Sequence, residues 1–200
     1  PLEGLILAGL HGAVIKHPGE PARLLVPEDE EKLLQSMFEE ISTIFLSSGL
    51  PPGFWVENKG ISLAVHFREA PDHQVEEGRR RVLQALEPYL ERGRLELLVG
   101  EKVLELRPTG VNKGQAVKLL TGRYPHHYPI YVGDDFTDED AFRALGDRGF
   151  TIRVTGINRA TAACWRLKEP EEVLIFLKNL PYLWTPRGVS AQSFLAHKLR

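Results

Sequence analysis

Between residues 28 and 46 the apolar side chains fall at helical intervals, with Leu33, Leu34, Met37, Phe38, Ile41, Ile44 and Phe45 on one stripe. Glu28, Asp29, Glu30 and Glu31 load the start with the charge that a helix dipole favours. Gly49, Pro51, Pro52 and Gly53 end the run. The spacing predicts a helix over 28–46. The rhythm then becomes alternation, predicting strands over 54–57 and 61–68 joined by a turn at Asn58-Lys59-Gly60. A second helix is predicted over about 72–90, and a second hairpin over 94–99 and 102–107, turning at Gly100-Glu101. Helix, strand, strand, helix, strand, strand describes an antiparallel sheet with helices on one face, so residues 22–107 are expected to form a compact α+β unit.

The flanks follow another grammar. Leu5 to Ile15 reads as two short strands broken at Gly9 and Gly12, and Pro18, Gly19 and Pro21 mark a boundary. After Pro108 a helix (113–120), a strand (128–132), a helix (139–145), a strand (150–154) and a helix (171–180) alternate, which implies a mostly parallel sheet wrapped by helices. The expected organisation is an α/β core from 1–21 and 108–200, with the α+β unit of 22–107 inserted into it. The tail from Pro181 carries few packing signals and is left unassigned.

Composition narrows the partners. With 42% hydrophobic and 26% charged residues the chain is an ordinary globular one, and a formal net charge of -2 gives no electrostatic basis for binding nucleic acid or an anionic membrane. A phosphate handled here must be met by a few placed cations. The single cysteine, Cys164, suits a reducing cytoplasm. Within Thr161-Ala162-Ala163-Cys164-Trp165 it is expected to be a small core residue. No apolar run is long enough for a membrane-spanning helix. The chain starts at Pro1 and runs directly into the strand-like Gly4 to Gly9, so it is expected to be a fragment.

The densest chemistry lies in Ile130-Tyr131-Val132-Gly133-Asp134-Asp135-Phe136-Thr137-Asp138-Glu139-Asp140. An apolar strand delivers two adjacent carboxylates to its C-terminal end, where open α/β sheets bind ligands. Crowded carboxylates repel one another unless a cation neutralises them, and Mg²⁺ takes oxygen ligands. The plainer reading makes Thr137 a helix cap with Asp138, Glu139 and Asp140 on the dipole, and leaves Asp134 and Asp135 unexplained. In Asn112-Lys113-Gly114 a lysine opens a helix, against the dipole, so a phosphate nearby would compensate it; a solvated surface lysine is the alternative. His11 beside Gly12 reads as structural or close to phosphate, and His66 between Val65 and Phe67 as lining a sheet. His126-His127 has no matching partners for a metal.

Asn112-Lys113-Gly114 followed by Gly133-Asp134-Asp135-Phe136-Thr137-Asp138-Glu139-Asp140-Ala141-Phe142 resembles the last two motifs of the haloacid-dehalogenase phosphatase superfamily. The extended acidic form is similar to that of the trehalose-6-phosphate phosphatases. Ala8-Gly9-Leu10-His11-Gly12-Ala13, Val56-Glu57-Asn58-Lys59-Gly60, Val65-His66-Phe67-Arg68, Val103 to Pro108, and Leu167 to Val173 resemble further segments of that family. The resemblance implies a haloacid-dehalogenase-type parallel-sheet core, incomplete at its N-terminus, with an inserted α+β cap. It also implies hydrolysis of trehalose 6-phosphate with Mg²⁺ through an aspartyl-phosphate intermediate. Asp134 would hold the metal, with Asp135 and Asp138 in its shell, and Lys113 would bind the phosphoryl group. Glu57, Lys59 and Glu105 would hydrogen-bond the sugar hydroxyls, with His11, Gly12 and Asn112 also at the substrate.

The family's nucleophile lies in an Asp-x-Asp-Gly-Thr segment, and no Asp-x-Asp precedes Asp134 here; its phosphoryl-binding Ser or Thr motif is missing as well. The expectation is that the chain by itself is inactive. Alternatives are a phosphatase for sucrose phosphate or a mannosyl phosphate, and a non-catalytic remnant that binds sugar phosphate. A fusion to, or association with, a trehalose-phosphate synthase is a further expectation.

Overall fold

The computed structural model describes residues 3–185 and 188–189, and they divide into two compact units, Pro1–Val111 and Asn112–Arg200. The first unit opens with a small antiparallel sheet of β1 (Leu7–Gly9), β2 (Val14–Lys16) and β3 (Arg23–Leu24), in that order. A 3-10 turn at Leu10–Gly12 joins β1 to β2, with Leu10, His11 and Gly12 all at positive φ. The sequence pattern did not show β3, because two residues are too few to establish alternation.

Two long helices and two hairpins complete the unit. Helix α1 (Glu28–Ser48) buries Leu34, Met37, Phe38, Ile41 and Phe45, the stripe seen in the sequence, and Gly49 at φ 72° ends it. Helix α2 (Asp72–Leu90) buries Gly78, Val82, Leu86 and Tyr89. Gly78 lets the helix approach the Phe54 ring, since a Cβ there would come within 2.4 Å of the ring. Strands β4 (Trp55–Asn58), β5 (Leu63–His66), β6 (Leu95–Gly100) and β7 (Val103–Pro108) form an antiparallel sheet ordered β4-β5-β7-β6. In its register Val56 faces Val65, and Leu63 faces Leu106, which faces Leu97. These side chains pack on the α1 and α2 stripes in one apolar cluster. Each fully buried Leu or Phe there stabilises the fold by about 1.5–3 kcal/mol. Successive strand residues point to opposite faces, so Trp55, Glu57, Ala64, His66 and Glu105 share the other face.

The second unit alternates as its pattern implied. Helix α3 (Lys113–Arg123), β8 (Ile130–Gly133), α4 (Asp138–Leu145), β9 (Phe150–Val154), β10 (Trp165–Leu167) and α5 (Pro170–Leu183) follow in order. The strands are parallel and ordered β10-β9-β8. Phe150, Ile152, Leu167 and Phe176 form its buried cluster. Strand β10 escaped the sequence reading, because three residues with Arg166 in the middle give no clear rhythm. Cys164 corrects one expectation: it is exposed at the start of this edge strand, and its sulfur pairs with the backbone of Thr151 at 3.3 Å. Helix α5 runs through Pro181, beyond the predicted end at 180. Of the unassigned tail, 186–187 and 190–200 lie outside the described residues. Among the described residues no helix is long and apolar enough to cross a membrane.

Candidate active site

The acidic loop hangs on the C-terminal end of β8. Gly133 is required there: a Cβ would lie 2.3 Å from the Asp138 carboxyl carbon, so only glycine lets Asp138 fold back over the strand end. Asp138 is 4% exposed and both its oxygens accept hydrogen bonds. Its Oδ1 accepts from Lys113 Nζ at 2.8 Å and from the Tyr131 hydroxyl at 2.8 Å, and its Oδ2 accepts from the Asp135 amide at 2.8 Å. Burial opposes the charge on Asp138, but the bonds from Lys113, the Asp135 amide and Tyr131 prevail and lower its pKa. Tyr131 is pushed the other way, by burial first and then by the Asp138 carboxylate.

Lys113 opens α3, whose N-cap is Asn112, with Asn112 Oδ1 accepting from the Gln115 amide at 3.0 Å. The anion that offsets a lysine at this helix start is Asp138 itself, a partner the sequence reading had looked for in a phosphate. Gly114 keeps α3 close to α4, because a Cβ would come within 2.5 Å of the Asp140 carbonyl oxygen.

Asp135 also serves the loop. Its Oδ1 accepts from the Phe136 amide at 2.6 Å and its Oδ2 from the Thr137 hydroxyl at 3.0 Å. Thr137 therefore does not cap α4 with its side chain. Asp134 is exposed, and no hydrogen bond or ion pair holds it among the described residues. Of the three carboxylates expected around a metal, Asp134 alone carries no hydrogen bond or ion pair among the described residues, and a free carboxylate suits a hard divalent ion. The oxygens of Asp135 and Asp138 accept hydrogen bonds within the loop. Among the described residues no three His, Cys, Asp or Glu side chains form a metal-binding group.

The first unit gathers a second cluster on the open face of its four-stranded sheet. Glu105, on β7, accepts from Lys59 Nζ at 3.3 Å and Ser62 Oγ at 3.1 Å on Oε1, and lies 3.0 Å from His11 Nε2 on Oε2. Lys59 is also 3.6 Å from Glu57, whose Oε2 lies 3.0 Å from His66 Nε2. The structure thus brings together Glu57, Lys59, Glu105 and His11, with the buried Gly12 beside His11. Burial opposes ionisation of Glu105, but the bond and charge of His11 and the adjacent Lys59 take its pKa down to about 2. The His11 share of that effect requires the imidazolium form.

Comparison with known proteins decides the family. The model described as trehalose-phosphatase matches residues 1–171. The chain belongs to the trehalose-phosphatase family. It is 33% identical over 196 residues to probable trehalose-phosphate phosphatase H of Arabidopsis thaliana, covering 90% of this chain and 55% of that protein. Against probable trehalose-phosphate phosphatase 9 of Oryza sativa subsp. japonica it is 35% identical over 206 residues, covering 90% and 54%. The chain thus spans about half the length of the curated relatives it matches. The solved trehalose-6-phosphate phosphatase of Aspergillus fumigatus superposes with a TM-score of 0.61 at 30% identity, over 90% of this chain and 70% of that one. The C-terminal domain of the Candida albicans trehalose-6-phosphate phosphatase gives 0.70 at 23% identity, over 90% and 71%, a likeness of fold. The architecture is the haloacid-dehalogenase-type α/β fold.

Sequence reasoning missed several residues that shape the sites of this chain. Glu139 is 7% exposed; its two oxygens accept from Thr161 Oγ1 at 2.6 Å and the Ala162 amide at 2.8 Å, tying the β9–β10 connection to α4. Arg153 lies 3.8 Å from Glu139 and donates to the Asp135 carbonyl, so it braces the acidic loop from β9. A signal existed for Glu139, which falls three residues before Phe142 on the buried face of α4. Ser62 and Tyr131 gave none, since their roles depend on register and close packing.

Proposed function

We propose that this chain contributes the sugar-binding cap and part of the catalytic core of an enzyme that hydrolyses trehalose 6-phosphate to trehalose and phosphate. In this reading residues 22–107 are the cap, and residues 1–21 join 108–200 in the core. The observation that carries it is the Lys113–Asp138 pair at the C-terminal end of β8, 2.8 Å long, in a chain of the trehalose-phosphatase family.

An ammonium has three hydrogens, and Asp138 takes one. The Lys113 side chain is 30% exposed, so the remaining hydrogens can meet phosphoryl oxygens and stabilise the charge that builds on them during transfer. Asp138 keeps the ammonium in place, and Tyr131 and the Asp135 amide keep Asp138 in place. Asp134 would hold Mg²⁺, which would supply further neutralisation of the phosphoryl oxygens. Attack would come from an aspartate outside residues 1–200, forming an aspartyl phosphate that water then hydrolyses. Glu57, Lys59 and Glu105 would orient the sugar through charge-assisted hydrogen bonds to its hydroxyls, with His11 and Gly12 at the edge of that cluster and Asn112 at the helix start beside Lys113. A single cysteine fits a cytoplasmic enzyme, and a trehalose-phosphate synthase is its natural associate, since that reaction supplies the substrate.

The test is phosphate release from trehalose 6-phosphate by the complete gene product with Mg²⁺, beside sucrose phosphate and a mannosyl phosphate, and by residues 1–200 alone. Turnover of trehalose 6-phosphate by the complete protein only is the expected result. Turnover of another sugar phosphate in its place would reassign the substrate, and binding without turnover by the complete protein would overturn the enzymatic reading.

A further inference from the structure

The open face of the β4-β5-β7-β6 sheet carries an exposed indole that neither the core nor the proposed chemistry uses. Trp55 begins β4, two residues from Glu57 and so on the same face. Its side chain is 46% exposed. A lone exposed apolar residue is ordinary on any surface, but Trp55 is not alone. His66 lies directly opposite it in register, and the two rings stack with centroids 4.0 Å apart and planes 17° apart. The imidazole is held in turn by Glu57, 3.0 Å from its Nε2. His66 therefore covers one face of the indole, fixes its plane and links it to the cluster of Glu57, Lys59 and Glu105. A large aromatic held this way gives up little side-chain freedom when a ligand meets its other face.

The dimensions fit more than one ring. Strand rise places Trp55 about 7 Å along β4 from Glu57, and strand spacing places Glu105 about 10 Å across the sheet. The charged groups suit the hydroxyl rim of one pyranose, while the indole offers an apolar surface to the C–H face of a neighbouring one. We infer that Trp55 stacks on the second ring of a disaccharide monophosphate and sets the preference for a two-ring substrate. His66 is the positioning residue that orients it. This inference rests on the sugar-phosphate reading above.

Two measurements on the complete gene product test it. In the first, Trp55→Ala raises the KM for trehalose 6-phosphate about tenfold, with the change in KM rather than kcat, and Trp55→Phe stays within about threefold of the parent. In the second, trehalose added to the parent protein shifts tryptophan emission, and Trp55→Phe abolishes the shift while Trp165 and Trp184 remain. A KM within twofold in Trp55→Ala, or an emission shift that survives in Trp55→Phe, overturns the inference. Turnover without any trehalose-dependent shift removes the stacking role and leaves the phosphatase reading standing. A Trp55-dependent shift without turnover does the reverse, and the absence of both removes both.

Discussion

Each unit holds a lysine against a well-covered carboxylate, and the two pairs are built in different ways. In residues 1–111, Glu105 lies within β7 and draws Lys59 and Ser62 from the β4–β5 turn and His11 from the turn after β1. Their convergence is set by strand register over a core that includes Leu34, Phe38, Leu63, Leu86 and Leu106. In residues 112–200, Asp138 is met by Lys113, Tyr131 and the Asp135 amide, and its geometry depends on a tight loop after Gly133 beside a much smaller buried cluster. A charged group on a register-locked sheet can be altered without moving its neighbours. A charged group that is itself the fastener of a loop cannot. The first arrangement suits recognition of a substrate, and the second suits holding a catalytic cation to one place.

The largest effect follows from the second arrangement. Lys113→Ala should lower kcat/KM for trehalose 6-phosphate about a thousandfold, or roughly 4 kcal/mol of transition-state stabilisation, measured by phosphate release from the complete protein. Asp134→Asn should lose at least about a hundredfold while leaving thermal stability unchanged, because Asp134 is exposed and no protein group depends on it. Full activity in either variant would remove the catalytic role assigned to this loop.

Next in size is the structural effect of Asp138. Asp138→Asn should destabilise the protein by about 2–4 kcal/mol in urea denaturation, since it discharges the partner of a buried lysine contact and leaves one carboxylate acceptor replaced by a donor. Glu105→Gln should lose only about 1 kcal/mol in the same experiment and instead raise the KM about tenfold, equivalent to about 1.4 kcal/mol of binding. Equal destabilisation by the two substitutions would break the contrast between fastener and recognition group.

Much of this was legible from the chain, for identifiable reasons. The α1 stripe and both hairpins showed because long amphipathic runs and turn residues carry their own signal, and the acidic loop showed because five acids in seven positions are rarely structural alone. The division of labour within that loop did not show. Spacing cannot tell that Asp138 is buried under Lys113 and Tyr131 while Asp134 points free, because both follow one strand end. The plainer reading puts Glu139 on the helix dipole, whereas it is a buried acceptor for Thr161 and Ala162. Short strands such as β3 and β10 were missed because pairing partners, not local rhythm, define them.

The smallest effect is also the one that separates the two carboxylates most cleanly. Glu105 is held at about 2 in the folded protein against an ordinary value of 4.5. A depressed folded value means the unfolded chain takes up the proton first as pH falls. The stabilising contribution is therefore complete above about pH 4.5 and disappears between there and about pH 2. Allowing for screening by solvent, it is on the order of 1 kcal/mol. Asp138 is depressed as well, so acid weakens both units, and a simple melting curve mixes the two. Glu105→Gln separates them, because glutamine has no proton to take up. The stability difference between the parent and Glu105→Gln should shrink as pH falls from about 4.5 toward 2, while the acid loss that remains in the variant includes the part due to Asp138. A difference that stays constant down to pH 2 would mean that Glu105 is not held by His11 and Lys59 in the folded state.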